Sequence, residues 1–186
     1  MREHALYTGL NAIEGLLNSR GLPPIEEWDP QRIGNSHMRI ARDGSWFYRG
    51  TRIDRSRMVR LFSTVLSRDE EGVTWLMMPH EKLQVEVDDA PFNAVLLERH
   101  TDTDPETLSF TTNVGDVVVA DADHSITVHY ADPDSDPAPY IRVRGRLDAL
   151  ITRSVFIELG TFARDNGGRL GVESSGCFMP LDRSPA

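Results

Sequence analysis

The sequence predicts an α+β protein built from two related strand–helix–strand modules with mainly antiparallel sheets. Short stretches of alternating apolar and polar residues, separated by glycine and proline turns, indicate strands over most of the chain. Two amphipathic stretches, 55–68 and 149–164, each follow a strand and predict helices. Segments 50–76 and 145–172 share the same order of features, which indicates a repeated unit.

The repeat is carried by short motifs around each predicted helix. Arg52-Ile53-Asp54 matches Arg146-Leu147-Asp148, and Arg68-Asp69 matches Arg164-Asp165, once two residues are inserted near the helix start. Chance similarity between two capped helices remains the alternative. The predicted domains are an N-terminal segment with a helix and a Pro-rich stretch, a first module and a second module, over 1–30, 31–98 and 99–186.

The N-terminal segment begins with an amphipathic helix over 4–20, because five apolar residues repeat at helical spacing. These residues are Leu6, Leu10, Ile13, Leu16 and Leu17. Gly21 and the following Pro23-Pro24 end this helix. Trp28 is expected to anchor the extended stretch that follows.

The first module opens with a hairpin. Asp43-Gly44 is a dipeptide that a two-residue turn prefers, since both positions need positive φ, and strands flank it at 38–42 and 45–49. Arg49-Gly50 forms a second turn, and Asp54 is the expected N-cap of the first helix. The remaining predicted strands are 73–78, 82–87, 92–98, 108–112, 116–120, 125–130 and 140–147, followed by two short strands near the end.

Composition indicates a soluble globular protein without a disulfide framework. With 186 residues, of which 39% are apolar and 26% charged, the chain can bury a core without metals or disulfides. Its apolar runs are too short to span a bilayer, and its N-terminus lacks the apolar core of a secretion signal. Cys177 is the only cysteine, so we expect a cytoplasmic bacterial protein.

Charge is distributed unevenly. The net charge of −9 argues against binding nucleic acid in bulk. Residues 39–60 nevertheless contain seven arginines and two aspartates, a local charge of +5, which leaves −14 for the rest of the chain. GC-rich codon usage is the simpler explanation of the arginine content, and recognition of planar anions by guanidinium groups is the other.

The sequence contains no pattern for a metal site, a cofactor or covalent catalysis. The acidic run at 132–136 lacks the glycine and the glutamate that an EF-hand loop needs, and His124 and His129 fall on opposite faces of one strand. A nucleophile elbow and a phosphate-binding loop are also missing. Cys177 is interpreted as a buried thiol. We therefore predict no metal, no cofactor and no catalytic residue.

One group of candidate ligand residues lies on the strand at 140–147. Arg142, Arg144 and Arg146 alternate with other residues, so their guanidinium groups share one face. Like charges in a row are unfavourable unless acids or a bound anion lie opposite them. Pairing with the many nearby aspartates is the simpler explanation, and an anion site is the alternative.

A second group lies on the hairpin, where Trp46 and Tyr48 share one strand face, opposite Phe47 and Arg49. Two rings beside arginines can hold a base or a sugar by stacking, although aromatic residues of a core fit the same pattern. The full predicted ligand site consists of Arg39, Arg42, Arg142 and Arg144 for charge, Trp46 and Tyr48 for stacking, and Asn113 and Asp116 for hydrogen bonds to a sugar or an exocyclic group.

A series of short motifs follows the chain from about position 20 onward. In order they are Pro23-Pro24, Trp28, Pro30, Met38-Arg39-Ile40, Asp43-Gly44-x-Trp46-x-Tyr48-x-Gly50, Leu61-Phe62-x-x-Val65-Leu66, Pro79-x-Glu81-Lys82, Val87-x-Asp89-Ala90-Pro91-Phe92, Thr112-Asn113-Val114-Gly115-Asp116, Tyr140-x-x-Val143-Arg144-Gly145 and Gly176-x-Phe178-x-Pro180-Leu181. The ordered set resembles the bacterial domain-of-unknown-function family numbered 1285, although no single motif is diagnostic.

This resemblance implies a duplicated α+β module whose second half is loosely similar to pleckstrin-homology domains, with a ligand pocket at the junction of the halves. It also implies a nucleotide-like ligand and a signalling role, without an established activity. One position departs from the family pattern. An acidic residue often precedes Met-Arg-Ile, and this chain has His37 there, so a ligand contact at this position would differ.

Three functions follow as hypotheses. The first is a non-enzymatic sensing or regulatory module that binds a small anionic, nucleotide-like ligand between the two modules. The second is an interaction module that docks an acidic protein partner on the arginine surface of 39–60, including Arg57 and Arg60. The third is a cryptic hydrolase whose residues converge only in space, for example His80 with Glu81 or Asp116. No membrane partner is expected.

Overall fold

The structure is a computed structural model that describes residues 22–132 and 135–183. The helix predicted over 4–20 lies outside these residues. The chain divides into two compact units, 1–88 and 89–186. Among the described residues, none of the helices has the length and apolar character needed to cross a membrane.

The protein is mostly β, so the prediction of α+β modules is wrong. Strands account for 47% of the described residues and helical segments for 12%, and the strands form three sheets. Helix α1 covers only Ser56–Thr64, and helix α2 covers only Arg153–Gly160. The adjoining residues Leu66–Arg68 and Leu147–Ile151 are strands instead. Short apolar runs fit both periodicities, and here the hydrogen bonds to neighbouring strands decide between them.

The first unit contains a six-stranded sheet. Its strands are β1 (Arg32–Ile40), β2 (Trp46–Tyr48), β3 (Thr51–Arg52), β4 (Leu66–Arg68), β5 (Thr74–Met77) and β6 (Glu81–Val87), and a short 3-10 turn at Ile25–Glu27 precedes them. The order across the sheet is β3-β2-β1-β6-β5-β4. Neighbouring strands are antiparallel except for β1 and β6 at the centre, which run parallel. The sheet therefore consists of two three-stranded meanders joined along their inner strands.

The second unit contains a six-stranded and a three-stranded sheet. The larger sheet is formed by β7 (Phe92–His100), β8 (Thr107–Thr112), β9 (Val117–Val119), β10 (Ile126–His129), β11 (Ala138–Arg144) and β12 (Leu147–Ile151). After α2, the smaller sheet is formed by β13 (Arg164–Asn166), β14 (Arg169–Ser174) and β15 (Cys177–Pro180). The larger sheet has the order β10-β11-β12-β7-β8-β9, with β12 and β7 parallel. This arrangement replaces the pleckstrin-homology-like half that the family resemblance implied.

The two large sheets share one topology. In each, the first strand of the first meander runs parallel to the last strand of the second, β1 beside β6 and β7 beside β12. The repeat in the structure therefore relates β1–β6 to β7–β12. The sequence match of 50–76 with 145–172 does not correspond to this structural repeat. It aligns α1, which lies between the two meanders of its sheet, with α2, which follows both meanders of the other sheet.

The core of the first unit lies on one face of its sheet, beneath α1. Met38, Ile40 and Trp46 are buried there, and the ring of Trp46 stacks on Phe62 of α1 with centroids 6.1 Å apart. The predicted N-cap is wrong, because Arg55 occupies that position and no side chain of the described residues caps the helix.

The hairpin of β1 and β2 is confirmed, but its turn differs from the prediction. Ala41 and Ser45 are joined by a backbone hydrogen bond of 2.9 Å, and only Gly44 has positive φ, at 81°. This corresponds to a three-residue loop in which glycine supplies the left-handed position. The Asp43 carboxylate accepts hydrogen bonds from the Ser45 amide and hydroxyl, which hold its pKa below the ordinary value.

Candidate functional site

The residues predicted to bind ligand are divided between the two units, four in each. Arg39, Arg42, Trp46 and Tyr48 belong to the first unit. The other four, Asn113, Asp116, Arg142 and Arg144, belong to the second. Each group is described within its own unit, and the expectation of a ligand between the modules stays a prediction.

In the second unit the predicted arginines are bonded to acidic side chains of the same unit. Arg144 donates Nη1–H to Asp116 at 2.8 Å, and its guanidinium lies 5.1 Å from the centre of the Phe92 ring. Arg142 donates Nε–H to Asp148, which lies directly opposite it on β12. Arg142 and Arg144 therefore share a face as the spacing predicts, and both make the carboxylate pairs that were the simpler explanation.

Asn113 forms a reciprocal pair with Asn93 in the same unit. Its backbone N–H donates to the carbonyl of Asn93 at 2.8 Å, and its Oδ1 accepts the backbone N–H of Asn93 at 3.0 Å. Asn93 is buried, so the Asn113 side chain satisfies a backbone donor that water cannot reach.

In the first unit, Trp46 is part of the core and only 1% of its surface is exposed, which makes it inaccessible as a stacking surface. Tyr48 is half-buried, and the guanidinium of Arg49 lies 5.3 Å from its ring centre. Arg42 lies exposed in the loop after β1. Arg39 is the predicted residue that lines a cavity of this unit.

The cavity lies on the sheet face opposite the core and has a volume of about 650 Å³. It is lined by Asn35, His37, Met38, Arg39, Phe47, Arg49, Gly50, Gln84 and Glu86. All of these residues belong to the first unit.

Strand register arranges the lining residues in two rows. Arg39 lies directly opposite Phe47 on β2 and opposite Glu86 on β6. Two residue pairs further along, and so on the same face, Arg49 donates its backbone N–H to the His37 carbonyl at 2.9 Å. Strand β1 therefore runs along the middle of the cavity. Phe47 and Arg49 lie on one side of it, and Glu86 of β6 lies on the other.

A bulge in β1 forms one wall of the cavity. The register between β1 and β6 shifts between Asn35 and Met38. The hydroxyl of buried Ser36 donates to the carbonyl of Gln84 at 2.6 Å and accepts the backbone N–H of Met38 at 3.0 Å. His37 follows with φ of 57°, and its backbone N–H donates to Asn35 Oδ1. The bulge therefore turns the exposed His37 toward the cavity face.

The turn between β2 and β3 forms another part of the wall. Tyr48 and Thr51 are paired across it, so Arg49 and Gly50 form a two-residue loop with φ of 48° and 80°. Positive φ at both positions is the pattern of a type I′ turn. Glycine adopts this conformation at little cost, whereas arginine does not. Arg49 and His37 are thus both held in a conformation that non-glycine residues rarely adopt.

The cations of the cavity differ in how they are engaged. Arg39 donates Nε–H and Nη2–H to the two carboxylate oxygens of Asp88, and these bonds raise the pKa of Arg39 above its ordinary value. Its guanidinium also lies 5.8 Å from the centre of the Phe47 ring. Arg49 makes no ion pair with any residue of 22–132 and 135–183. The free charge of the cavity is therefore on Arg49, while Arg39 is held beside the Phe47 ring by its bonds to Asp88.

Phe47 and Arg49 escaped the sequence analysis because it chose Trp46 and Tyr48 as candidate stacking rings and left open whether their face belonged to the core. Met38 and Ile40 face the core, and their partners across the hairpin are Tyr48 and Trp46. Directly opposite residues share a face, so Phe47 points to the outer surface. The apolar character of Met38 and Ile40 was the signal that could have identified this.

Comparison with known proteins assigns the chain to a family. The model of the N-terminal domain of DUF1285, a domain of unknown function, matches residues 23–90, and that of its C-terminal domain matches residues 91–181. The chain belongs to the DUF1285 family. No match was found among curated proteins.

Two solved structures of DUF1285 family proteins are similar to this chain. One is from Silicibacter pomeroyi DSS-3, with 45% sequence identity, a TM-score of 0.81 and coverage of 88% of each chain. The other is from Shewanella baltica OS155, with 24% identity and a TM-score of 0.52, covering 65% of this chain and 87% of the other. The family resemblance predicted from the sequence is therefore confirmed, and the second structure supports the fold alone.

Proposed function

We propose that this DUF1285 protein is a non-enzymatic regulatory or signalling module that binds a small anionic, nucleotide-like ligand in the outer cavity of its first unit. The observation that carries the proposal is the convergence, in one cavity, of an accessible aromatic ring and an arginine that forms no ion pair within the described part of the chain. A cytoplasmic location is part of the proposal.

The cavity offers different chemistry to the two ends of such a ligand. Arg49 presents a guanidinium group to a phosphate, which it can bind with two parallel hydrogen bonds. Phe47 and the guanidinium plane of Arg39 offer adjoining surfaces on which a base can stack. Because the two hydrogen bonds to Asp88 hold Arg39 in place, little side-chain entropy is lost when a ligand stacks on it.

Backbone conformation supports a ligand-binding role at this place. His37 and Arg49 are two of the three non-glycine residues with positive φ in the described part of the chain. Both line the cavity and are joined by a backbone hydrogen bond. Strained backbone is concentrated at sites where a side chain must be positioned for a ligand.

The test compares the wild-type protein with two variants. Thermal shift and calorimetry measure how tightly each protein binds GMP, AMP and inorganic phosphate. We expect a nucleotide at 100 times its dissociation constant to stabilise the protein by about 2.7 kcal/mol. Arg49→Gln should weaken binding, whereas Arg60→Gln, which removes an exposed arginine outside the cavity, should not. Absence of binding at millimolar nucleotide, or equal binding by both variants, would contradict the proposal.

Docking of an acidic protein partner is a second candidate function, supported by the arginines around α1. Arg55, Arg57 and Arg60 are exposed, and within 22–132 and 135–183 none of the three forms an ion pair. Arg55 and Arg57 lie at the N-terminal end of the helix, where the helix dipole disfavours positive charge. Charge reversal of Arg57 and Arg60 should abolish capture of an acidic partner and leave nucleotide binding unchanged.

The hydrolase hypothesis has no comparable support. Its candidate Asp116 accepts a hydrogen bond from Arg144. The ligand-binding function proposed above assigns no catalytic residue. An activity screen on phosphoester and nucleotide substrates is the test that would restore this hypothesis.

A further inference from the structure

The cavity contains a carboxylate, that of Glu86, which the binding of a phosphate does not explain. Glu86 lines the cavity and is exposed, on the side of β1 away from Phe47 and Arg49. A carboxylate in an anion-binding cavity repels the ligand charge, unless the ligand presents hydrogen-bond donors to it. From this arrangement, and on the basis of the function proposed above, we infer that Glu86 selects a guanine base over an adenine base.

The carboxylate of Glu86 is available for such a contact. Its neighbour Arg39 lies directly opposite on β1, but the Nε–H and Nη2–H of that guanidinium donate to Asp88 rather than to Glu86. Within residues 22–132 and 135–183, the Glu86 side chain accepts no hydrogen bond. Two acceptor oxygens are therefore left side by side at the cavity.

Guanine matches these two oxygens and adenine does not. The Watson–Crick edge of guanine carries adjacent N1–H and N2–H donors, which one carboxylate can accept in parallel. Adenine presents an N6 amino donor beside the N1 lone pair, and this lone pair would face a carboxylate oxygen. A site that hydrogen-bonds a base disfavours an analogue that leaves its polar group unpaired, and because Glu86 is exposed we expect a discrimination of about 10-fold.

Strand geometry gives the base an orientation. Phe47, Arg39 and Glu86 are successive partners across β2, β1 and β6, so about 10 Å separates Phe47 from Glu86 at the usual spacing of strands. A purine stacked on Phe47 and Arg39 can direct its Watson–Crick edge toward β6. Its sugar and phosphate then point toward Arg49, on the opposite side of the cavity. The negative charges of Glu86 and Asp88 oppose the reversed orientation.

The experiment compares binding of GMP, IMP, AMP and inorganic phosphate to the wild-type protein by calorimetry at one ionic strength. We expect GMP to bind at least 10-fold more tightly than AMP, with IMP between them because it has N1–H but lacks the N2 amino group. Glu86→Gln should lower the affinity for GMP about 10-fold and reduce the preference over AMP, because an amide presents only one acceptor. Glu98→Gln, at an exposed strand position of the second unit, is the matched control.

The outcomes separate this inference from the function on which it rests. Equal affinity for GMP and AMP, or a guanine preference that Glu86→Gln leaves unchanged, overturns the inference while nucleotide binding stands. Failure of every nucleotide to bind overturns both. Loss of the guanine preference in Glu86→Gln, with the same thermal stability and with Glu98→Gln unaffected, supports it.

Discussion

The backbone N–H of Arg49 donates a hydrogen bond to the carbonyl oxygen of His37 at 2.9 Å, and both residues have positive φ. This bond joins the bulge in β1 to the turn after β2. Each residue is held by features of its own strand, Ser36 at the bulge and Gly50 in the turn. The two side chains are consequently placed at the same cavity by backbone geometry.

Substitution at His37 should separate backbone strain from ligand binding. A left-handed conformation costs a non-glycine residue about 1–2 kcal/mol, and β-branched residues tolerate it least. We expect His37→Gly to change the free energy of unfolding by less than about 1 kcal/mol, whereas His37→Val should lower it by about 1–2 kcal/mol. Urea denaturation measures both. Glu98→Val, at an exposed and regularly paired position of β7, should be tolerated, and equal losses at the two positions would contradict a strained His37.

Substitution of Trp46 should reveal a packing role rather than a stacking role. Trp46 is buried against Phe62, and among the described residues its indole N–H has no hydrogen-bond partner. Trp46→Ala should therefore lower the free energy of unfolding by about 3–5 kcal/mol. Trp46→Phe should cost less than about 1.5 kcal/mol, since no hydrogen bond is lost. Nucleotide binding should persist in Trp46→Phe, and its loss from a folded variant would assign the indole a direct ligand contact.

Asn113 should contribute to stability through its bond to Asn93. Asn113→Ala leaves the buried backbone N–H of Asn93 without its acceptor, and this typically costs about 1–3 kcal/mol. Asn113→Asp keeps an acceptor oxygen and should recover most of that loss. Urea denaturation of both variants is the measurement. A stable Asn113→Ala protein would show that the side chain has another role.

Acid should weaken the first unit through Asp69. The Trp75 indole N–H donates to its carboxylate at 2.7 Å and holds the pKa of Asp69 below its ordinary value, helped by the amide of Val73. Because the pKa is lower in the folded state, the stabilisation is complete above about pH 4, the unfolded-state value, and is lost as the pH falls through the folded-state value. Unfolding of Asp69→Asn should therefore depend less on pH below 5 than that of the wild type. Asp102→Asn, in an exposed loop, should retain the wild-type pH dependence, and parallel curves for Asp69→Asn and wild type would refute the linkage.

Two glycines of the second unit should respond oppositely to alanine. A Cβ at Gly171 would lie 2.5 Å from the carbonyl oxygen of Met179 and 2.5 Å from the ring of Phe178, so Gly171→Ala should destabilise the protein by about 1–3 kcal/mol. A Cβ at Gly160, in α2, would meet no atom of the described residues within 4 Å. Gly160→Ala should stabilise by about 0.4–1 kcal/mol through the unfolded state. Melting temperatures that shift in the same direction would contradict this assignment.

Local patterns predicted more of the hairpins than of the helices. The β1–β2 hairpin and the turn at Arg49-Gly50 were recognisable because glycine is needed wherever φ is positive. The type I′ pattern was expected at Asp43-Gly44 and occurs instead at Arg49-Gly50, because turn type depends on loop length as well as on the dipeptide.

The candidate site could be predicted only in part. The arginine content of 39–60 pointed to the region, and Arg39 lines the cavity. Glu86 and Gln84 reach it only because β6 pairs with β1 in parallel, and nothing local to either strand indicates that pairing. The unmatched charge of Arg49 likewise depends on which carboxylates the sheet brings near each arginine.

The sequence by itself determined the family, the hairpin and the concentration of arginine, because these depend on residue order and on local backbone preferences. Tertiary structure decided the mostly β fold, the common topology of the two large sheets and the side of β2 on which the rings lie. The physical reason is that hydrogen bonding between strands distant in sequence sets which face of each strand is buried. Short amphipathic runs such as 147–151 adopt whichever conformation those partners stabilise.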